Sequence, residues 1–315
     1  MAPAGILRRR RQGTGDAVFS AVAHACGVFV LLLLSAIIVL LFIGGLPAFR
    51  AEGISFLYSA QWNPVTQHFG ALVSVYGTVM SAVLALVLAV PLAFGVAYFL
   101  TELSPAWLRT PVGTAVELLA AVPSIIYGMW GFFQLAPFLS RTIEPALSHS
   151  LGHVPGLGAV FRAAPGNSSI FTAAFVLAIM VLPFIAATMR DVFLTVPVMF
   201  KESAFGLGCT SWEVMANVVL PYTRGAVIGG IMLGLGRALG ETMAVTFVIG
   251  NTNRISASIF APGNTIASLV ALEFPEADQG SLQLSALLGL GFLLFVISFL
   301  VLAASRLLLK PRAPI

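Results

Sequence analysis

Charge is what this chain has least of. Only 9% of its 315 residues are Asp, Glu, Lys or Arg, against 59% hydrophobic, and the mean hydropathy is +1.00. A soluble domain carries roughly 25% charged residues. So little charge cannot coat a water-facing surface, and most of the exterior must face lipid. Cysteine is also scarce: Cys26 falls in the first apolar run and Cys209 in a loop. That argues against a disulfide framework and leaves both as small apolar fillers. Lysine is nearly absent. Lys201 and Lys310 follow Phe200 and Leu309, whereas a P-loop needs Gly-Lys-Ser/Thr to cradle phosphates. The chain has no Walker A site, so any ATP hydrolysis belongs to another chain and this one is not expected to be an enzyme. No catalytic triad, nucleophile elbow or redox motif is present. His149 and His153 have the i, i+4 spacing of a metal pair, but only Glu144 is near them in sequence, too little for a metal site. His24 and His68 stand alone.

What the chain has in quantity is long apolar runs. Six are long enough to span a bilayer, which takes about 20 helical residues: 18–45, 71–100, 112–139, 169–189, 225–250 and 284–309. Pro91 is expected to kink the second. The first is too long for the ~7–15-residue core of a signal peptide, and no small-residue cleavage site follows, so it reads as a retained helix. The fold class is all-α integral membrane with six transmembrane helices.

The basic residues orient the spans. With the N-terminus inside, Arg8, Arg9, Arg10, Arg11, Arg109, Arg190, Lys201, Arg224, Arg306, Lys310 and Arg312 are cytoplasmic, and Arg50, Arg141, Arg162 and Arg254 are outside. Both termini are then cytoplasmic. The net charge of +4 therefore reflects topology, since no basic patch suited to nucleic acid exists. The outer segments 49–70, 140–167 and 251–283 read as connectors or as docking loops for an external partner. The expected organisation is a cytoplasmic tail at 1–17, a first helix at 18–45, and a core at 71–309 with a cytoplasmic loop at 190–224.

That loop is the most informative segment. After Pro197 a short amphipathic helix is expected through Lys201, Glu202, Ala204 and Phe205. Gly206 and Gly208 allow a sharp turn. A second short helix is expected to start at Thr210 or Ser211 with Glu213 in its first turn, and to end at Leu220-Pro221. A stiff helix–turn–helix on the membrane face gives a partner something to push on. Its residues resemble the EAA loop of ABC importer permeases: Glu202, Ser203 (for Ala), Ala204, Gly208, Val218 (for Ile), Leu220 and Pro221 fall in that register without a gap. The runs at 116–131 (VELLAAVPSIIYGMWG), 189–193 (MRDVF), 201–214 (KESAFGLGCTSWEV) and 229–251 (GGIMLGLGRALGETMAVTFVIGN) are similar to the PstC family of phosphate-transport permeases, and the resemblance covers roughly 15–309.

The resemblance implies a type I ABC importer permease, with a five-helix core and a peripheral first helix, in the bacterial inner membrane. It implies a second, PstA-like permease, a homodimeric PstB-like ATPase using ATP and Mg²⁺, and an extracytoplasmic PstS-like phosphate-binding protein. No cofactor is expected on this chain.

Arg237 and Glu241 sit inside the fifth apolar run. A charge at mid-membrane costs about 2.5–3.5 kcal/mol, so such residues should face protein or water. As one helix, Gly230, Gly234, Arg237 and Glu241 form a narrow stripe in which the two charges can pair. The stripe reads either as a structural ion pair with glycines for close packing, including Gly236 and Gly240, or as a pathway whose cation is tempered by Glu241 so that an anion can leave. The resemblance points to Arg237 and Glu241 in transport. Glu117 is expected to approach Arg237 or to cap the inner end of its helix, and Thr242 and Thr246 to satisfy their hydroxyls on the helix. Rival readings are a permease for sulfate, molybdate or another oxyanion, and an ion-gradient transporter. The latter often shows paired broken helices, and none is expected here.

Overall fold

The computed structural model describes residues 14–155, 158–164 and 166–308, so Arg8 to Arg11, Lys310 and Arg312 lie outside the described residues. Five helical runs are long and apolar enough to cross a bilayer: Gly15–Glu52, Leu72–Leu103, Ile170–Leu194, Ser211–Leu239 and Leu282–Ala304. A sixth exists only as a pair of helices bent by 85°.

Helix α1 (Thr14–Glu52) outruns the expected 18–45. Its first half is exposed all round. Near its end Gly44 and Gly45 lie against Leu288 and Gly289 of α14 (Leu282–Leu308), where a Cβ on Gly45 would sit 2.7 Å from the Gly289 backbone. A short α2 (Ser55–Tyr58) leads to a two-stranded hairpin, β1 (Trp62–Asn63) paired antiparallel with β2 (His68–Phe69). Trp62 Nε1 donates to both carboxylate oxygens of Glu273, at 3.0 and 2.8 Å, tying the hairpin to α13 (Ile266–Glu273). We call this the hairpin end.

Helix α3 (Leu72–Tyr98) contains Pro91 and continues as a π-turn over Phe99–Leu103. Its buried seam is a row of small residues, Ala82, Ala85, Ala89, Ala93 and Ala97, which lets α8 (Ile170–Leu194) approach closely. Ser169 caps α8 by accepting from Thr172 N at 3.0 Å, and α8 is the most buried of the spans. Near the other end of α3, Gly77 lies under the Asn264 carbonyl, and Ile266 N donates to Thr78 Oγ1.

The run 112–139 does not form one helix. Helix α4 (Ala106–Ala120) stops, and α5 (Ser124–Trp130) restarts after Pro123, whose ring removes a donor and holds the preceding residue out of helical space. The restarted run continues through π-turns (Gly131–Leu135, Leu139–Ile143) joined by α6 (Ala136–Phe138) into α7 (Glu144–Leu151). The start of the expected connector 140–167 is therefore helical.

The fifth run differs more. Past α8, a short α9 (Val198–Gly206) turns into α10 (Ser211–Val214). This second helix does not end at Leu220-Pro221. A π-turn over Met215–Val219 carries it into α11 (Leu220–Leu239). Leu220 N donates to Met215 O, and the next residue, Pro221, has no N–H to place, so the wider turn absorbs the proline without a break. The break comes later, at Gly240–Thr242, before α12 (Met243–Val248). Helix α12 packs on α5, so the two broken helices meet. The expectation of no paired broken helices is thus overturned.

A Cβ at residue 77 would fall on the Asn264 carbonyl, so Gly77→Ala should lower stability by about 1–3 kcal/mol. A reduced melting temperature of the detergent-solubilised protein checks this; an unchanged one would show that the contact is soft.

Candidate translocation site and coupling elbow

Arg237 lies in the last turn of α11, just before the break. Its Nη2 donates to Ala120 O, the last carbonyl of α4, over 3.4 Å, and its Cζ sits 5.8 Å from the Phe184 ring centroid. No ion pair among the described residues includes it. The expected Arg237–Glu241 pair is not made, because the break takes Glu241 off the stripe. Glu241 Oε1 instead accepts from Ala244 N at 3.3 Å, serving a free N–H at the start of α12. Thr242 and Thr246 donate to the carbonyls of Gly240 and Thr242. Across the facing break, Tyr127 Oη donates to Leu119 O at 2.9 Å and braces the bend between α4 and α5. A half-buried guanidinium with most of its donors uncommitted therefore sits where two helix breaks converge.

Gly230 and Gly234 do not line an opening. A Cβ on Gly230 would meet Thr188 at 2.8 Å, and one on Gly234 would meet Ile185 at 2.7 Å. Both glycines set the spacing of α11 against α8. It is Gly236 that faces open space. Glu117 neither reaches Arg237 nor lies at the start of its helix. It sits near the end of α4 and accepts from Arg190 Nη2 at 2.7 Å. Arg190 also donates to Asp191 at 3.0 and 3.3 Å, and its Nη1 passes over Gly113, where a Cβ would be 2.3 Å away.

The loop after α8 is a rigid elbow. Helix α9 ends with Gly208 N donating to Phe205 O and Cys209 N to Ala204 O, the paired bonds of a Schellman motif. Gly208 has φ +89°, which disfavours any side chain there. Thr210 then caps α10 in a reciprocal box with Glu213, the cap expected from sequence. Ala204 faces inward, while Glu202, Ser203 and Gly208 are exposed. Beside them lie Met199, 68% exposed, and Leu207, 86% exposed. Leu220 and Pro221 lie on the continuous helix that leads from the elbow to Arg237.

The residues that anchor the elbow escaped sequence reading. Lys201 Nζ and Glu102 Oε1 are 2.6 Å apart, with side chains only 14% and 8% exposed, joining α9 to the π-turn that ends α3. Trp212 stacks edge-on against Phe94 and Tyr98, and Phe94 against Phe193. The available signal was an acid, Glu102, at the end of an apolar run with no cation near it in sequence.

Residues 89–312 match the family described as binding-protein-dependent transport system inner membrane component. The chain belongs to that family. It is 54% identical over 300 residues to the phosphate transport system permease protein PstC of Mesorhizobium japonicum (95% of this chain, 91% of that protein). It is 53% identical over 302 residues to the protein of the same name from Xylella fastidiosa strain 9a5c (96% and 93%). It shares its fold with a chain of a bacterial alginate ABC transporter (TM-score 0.61, 14% identity, covering 93% of this chain and 94% of that one). A chain of the inward-facing MetNI methionine ABC transporter also matches (TM-score 0.54, 15% identity, 75% and 93%). The fold is thus that of the type I ABC importer permeases, and the chain is a multi-pass inner-membrane permease. The family match includes both breaks and the elbow and leaves out α1.

Removing one partner of a largely buried ion pair leaves an uncompensated charge, at up to ~3–5 kcal/mol. Lys201→Met should destabilise the protein by that order, and the double variant Lys201→Met/Glu102→Met much less. Thermal unfolding of the three proteins checks this. Equal losses in single and double variants would show that the pair is not coupled.

Proposed function

We infer that the chain is one of two permease subunits of an ATP-driven importer of inorganic phosphate. The relatives named above carry phosphate transport in their names, and the observation that carries the reading here is Arg237. A cation inside an apolar protein, with no carboxylate partner among the described residues and with donors to spare, is what a multiply charged oxyanion requires. Phosphate carries one to two negative charges near neutral pH, and crossing hydrocarbon without a compensating charge is prohibitive. Ala120 O and the face of Phe184 hold the guanidinium, and an arriving phosphate competes with one long hydrogen bond. Glu241, one turn away and engaged with α12, tempers the field so that the anion is not trapped.

Alternating access supplies the passage. A PstA-like permease forms the other half of the pathway. A PstS-like protein delivers phosphate at the hairpin end, the outer side, while both termini lie inside. Two PstB-like ATPases, using ATP and Mg²⁺, dock on the exposed face of α9 around Glu202 and Ser203. Their closure moves the elbow as a body, because the Gly208 turn and the Lys201–Glu102 pair leave it no slack. Helix α11 carries that motion to Arg237, and α3 carries it to α8. The paired breaks do not by themselves favour an ion-gradient transporter, and membership of a binding-protein-dependent family supports the ATP-driven reading.

In proteoliposomes holding the assembled complex and its binding protein, Arg237→Gln should reduce phosphate uptake roughly 100-fold, the equivalent of a mid-membrane charge. Normal uptake would sink the pathway assignment. Gly208→Asp should detach the ATPase or leave its hydrolysis unlinked to uptake. Intact assembly with wild-type phosphate transported per ATP would remove the docking role from the elbow.

A further inference from the structure

A second cluster of cationic groups lies at the elbow end of α4, away from Arg237. There a cavity of about 250 Å³ opens between α4 and the ends of α3 and α8. Its polar wall is Arg109, Thr110, Thr114, Glu117 and Arg190. Arg190 is matched there by two carboxylates, Glu117 and Asp191, and Arg109 is the cation with no carboxylate partner among the described residues.

The donors are unevenly committed. Arg190 is held by Glu117 and Asp191, so its charge is already matched. Arg109 donates only through Nε, to Ser104 O at 3.0 Å, and its two terminal nitrogens have no partner among the described residues. The hydroxyls of Thr110 and Thr114 have none either. Elsewhere in these helices Thr78, Thr101, Thr188, Thr223 and Thr246 donate back to a carbonyl of the preceding turn. Thr110 and Thr114, one turn apart on α4, are exposed at the mouth of the cavity and line it with their hydroxyls uncommitted. A guanidinium fork and two hydroxyls lining one small space are a donor set for a tetrahedral oxyanion.

The placement adds to this. Thr110, Thr114, Glu117 and Ala120 follow one face of α4, so the cavity and the carbonyl that holds Arg237 lie on the same stripe, roughly 15 Å apart at 1.5 Å per residue. The apolar wall is Leu100 and Leu194. Leu100 belongs to the π-turn that holds Glu102, and Leu194 ends α8 just before the elbow. Any shift of α9, tied to Glu102 through Lys201, moves both walls.

We propose that this cavity is a phosphoryl-anion subsite at the inner exit, built by Arg109, Thr110 and Thr114. It takes an inorganic phosphate that has left Arg237 or, by the same chemistry, the phosphate of a lipid headgroup. It rests on the phosphate reading for its place in the route, while its binding chemistry is independent of that reading. Glu117 lowers the affinity, as an exit site requires.

The test uses the assembled permease–ATPase complex without nucleotide or binding protein, carrying Arg237→Gln so that only the second site reports. Equilibrium dialysis with radiolabelled inorganic phosphate measures binding, and native mass spectrometry measures retained phospholipid. For the free anion, adding Arg109→Gln weakens phosphate binding about tenfold or more. Arg109→Lys weakens it less, and Thr114→Val moves it the same way with the complex intact. For the headgroup, phosphate binding does not respond, and a phospholipid carried by the parent complex is lost with Arg109→Gln. If neither phosphate binding nor retained lipid responds to Arg109→Gln and Thr114→Val, the subsite does not exist. Failure of the Arg237 assignment would appear separately, as normal uptake by Arg237→Gln alone.

Discussion

Backbone groups inside a membrane protein cannot turn to water, so every helix that breaks there must find partners within the protein. Among the described residues two such breaks, at 121–123 and 240–242, each help to satisfy the other or themselves. Arg237 and Tyr127 donate to the carbonyls that end α4. Glu241 accepts from a free N–H at the start of α12. The geometry of the candidate site follows from that constraint. A guanidinium beside orphaned carbonyls is held in place by weak bonds, and weak bonds can be exchanged for an incoming anion.

The same economy of contacts explains how motion at one end can reach the middle. Small residues along α3 and the glycines of α11 bring three helices close enough that sliding one displaces the others. At the elbow, stiffness comes from elsewhere: a left-handed glycine, a reciprocal cap and a largely buried ion pair. Each removes a freedom that would otherwise absorb force. The continuous helix from Ser211 to Leu239 then behaves as a rod with one end in the elbow and the other at Arg237.

Much of this was legible in the chain. Apolar length announced the spans, the turn residues from Gly206 to Glu213 announced the elbow, and a lone arginine in an apolar run announced a polar interior. The breaks were not, although both carry sequence marks. Pro123 sits in a run hydrophobic enough to hide it, and Gly240 could equally have served close packing. Assuming an unbroken helix put Glu241 beside Arg237 and the glycines beside a channel. Glu117 was misplaced because its partner, Arg190, is distant in sequence.

Composition alone determined that the protein lives in lipid, since hydrocarbon accepts the residues this chain is rich in and rejects those it lacks. Local turn chemistry determined the elbow, because caps and positive φ depend on neighbours in sequence. Only the tertiary structure decided which charges meet. Charged groups pair strongly only at close range, and Lys201 with Glu102, Arg190 with Glu117, and Arg237 with the Ala120 carbonyl are brought together by helix packing across 73 to 117 residues of chain.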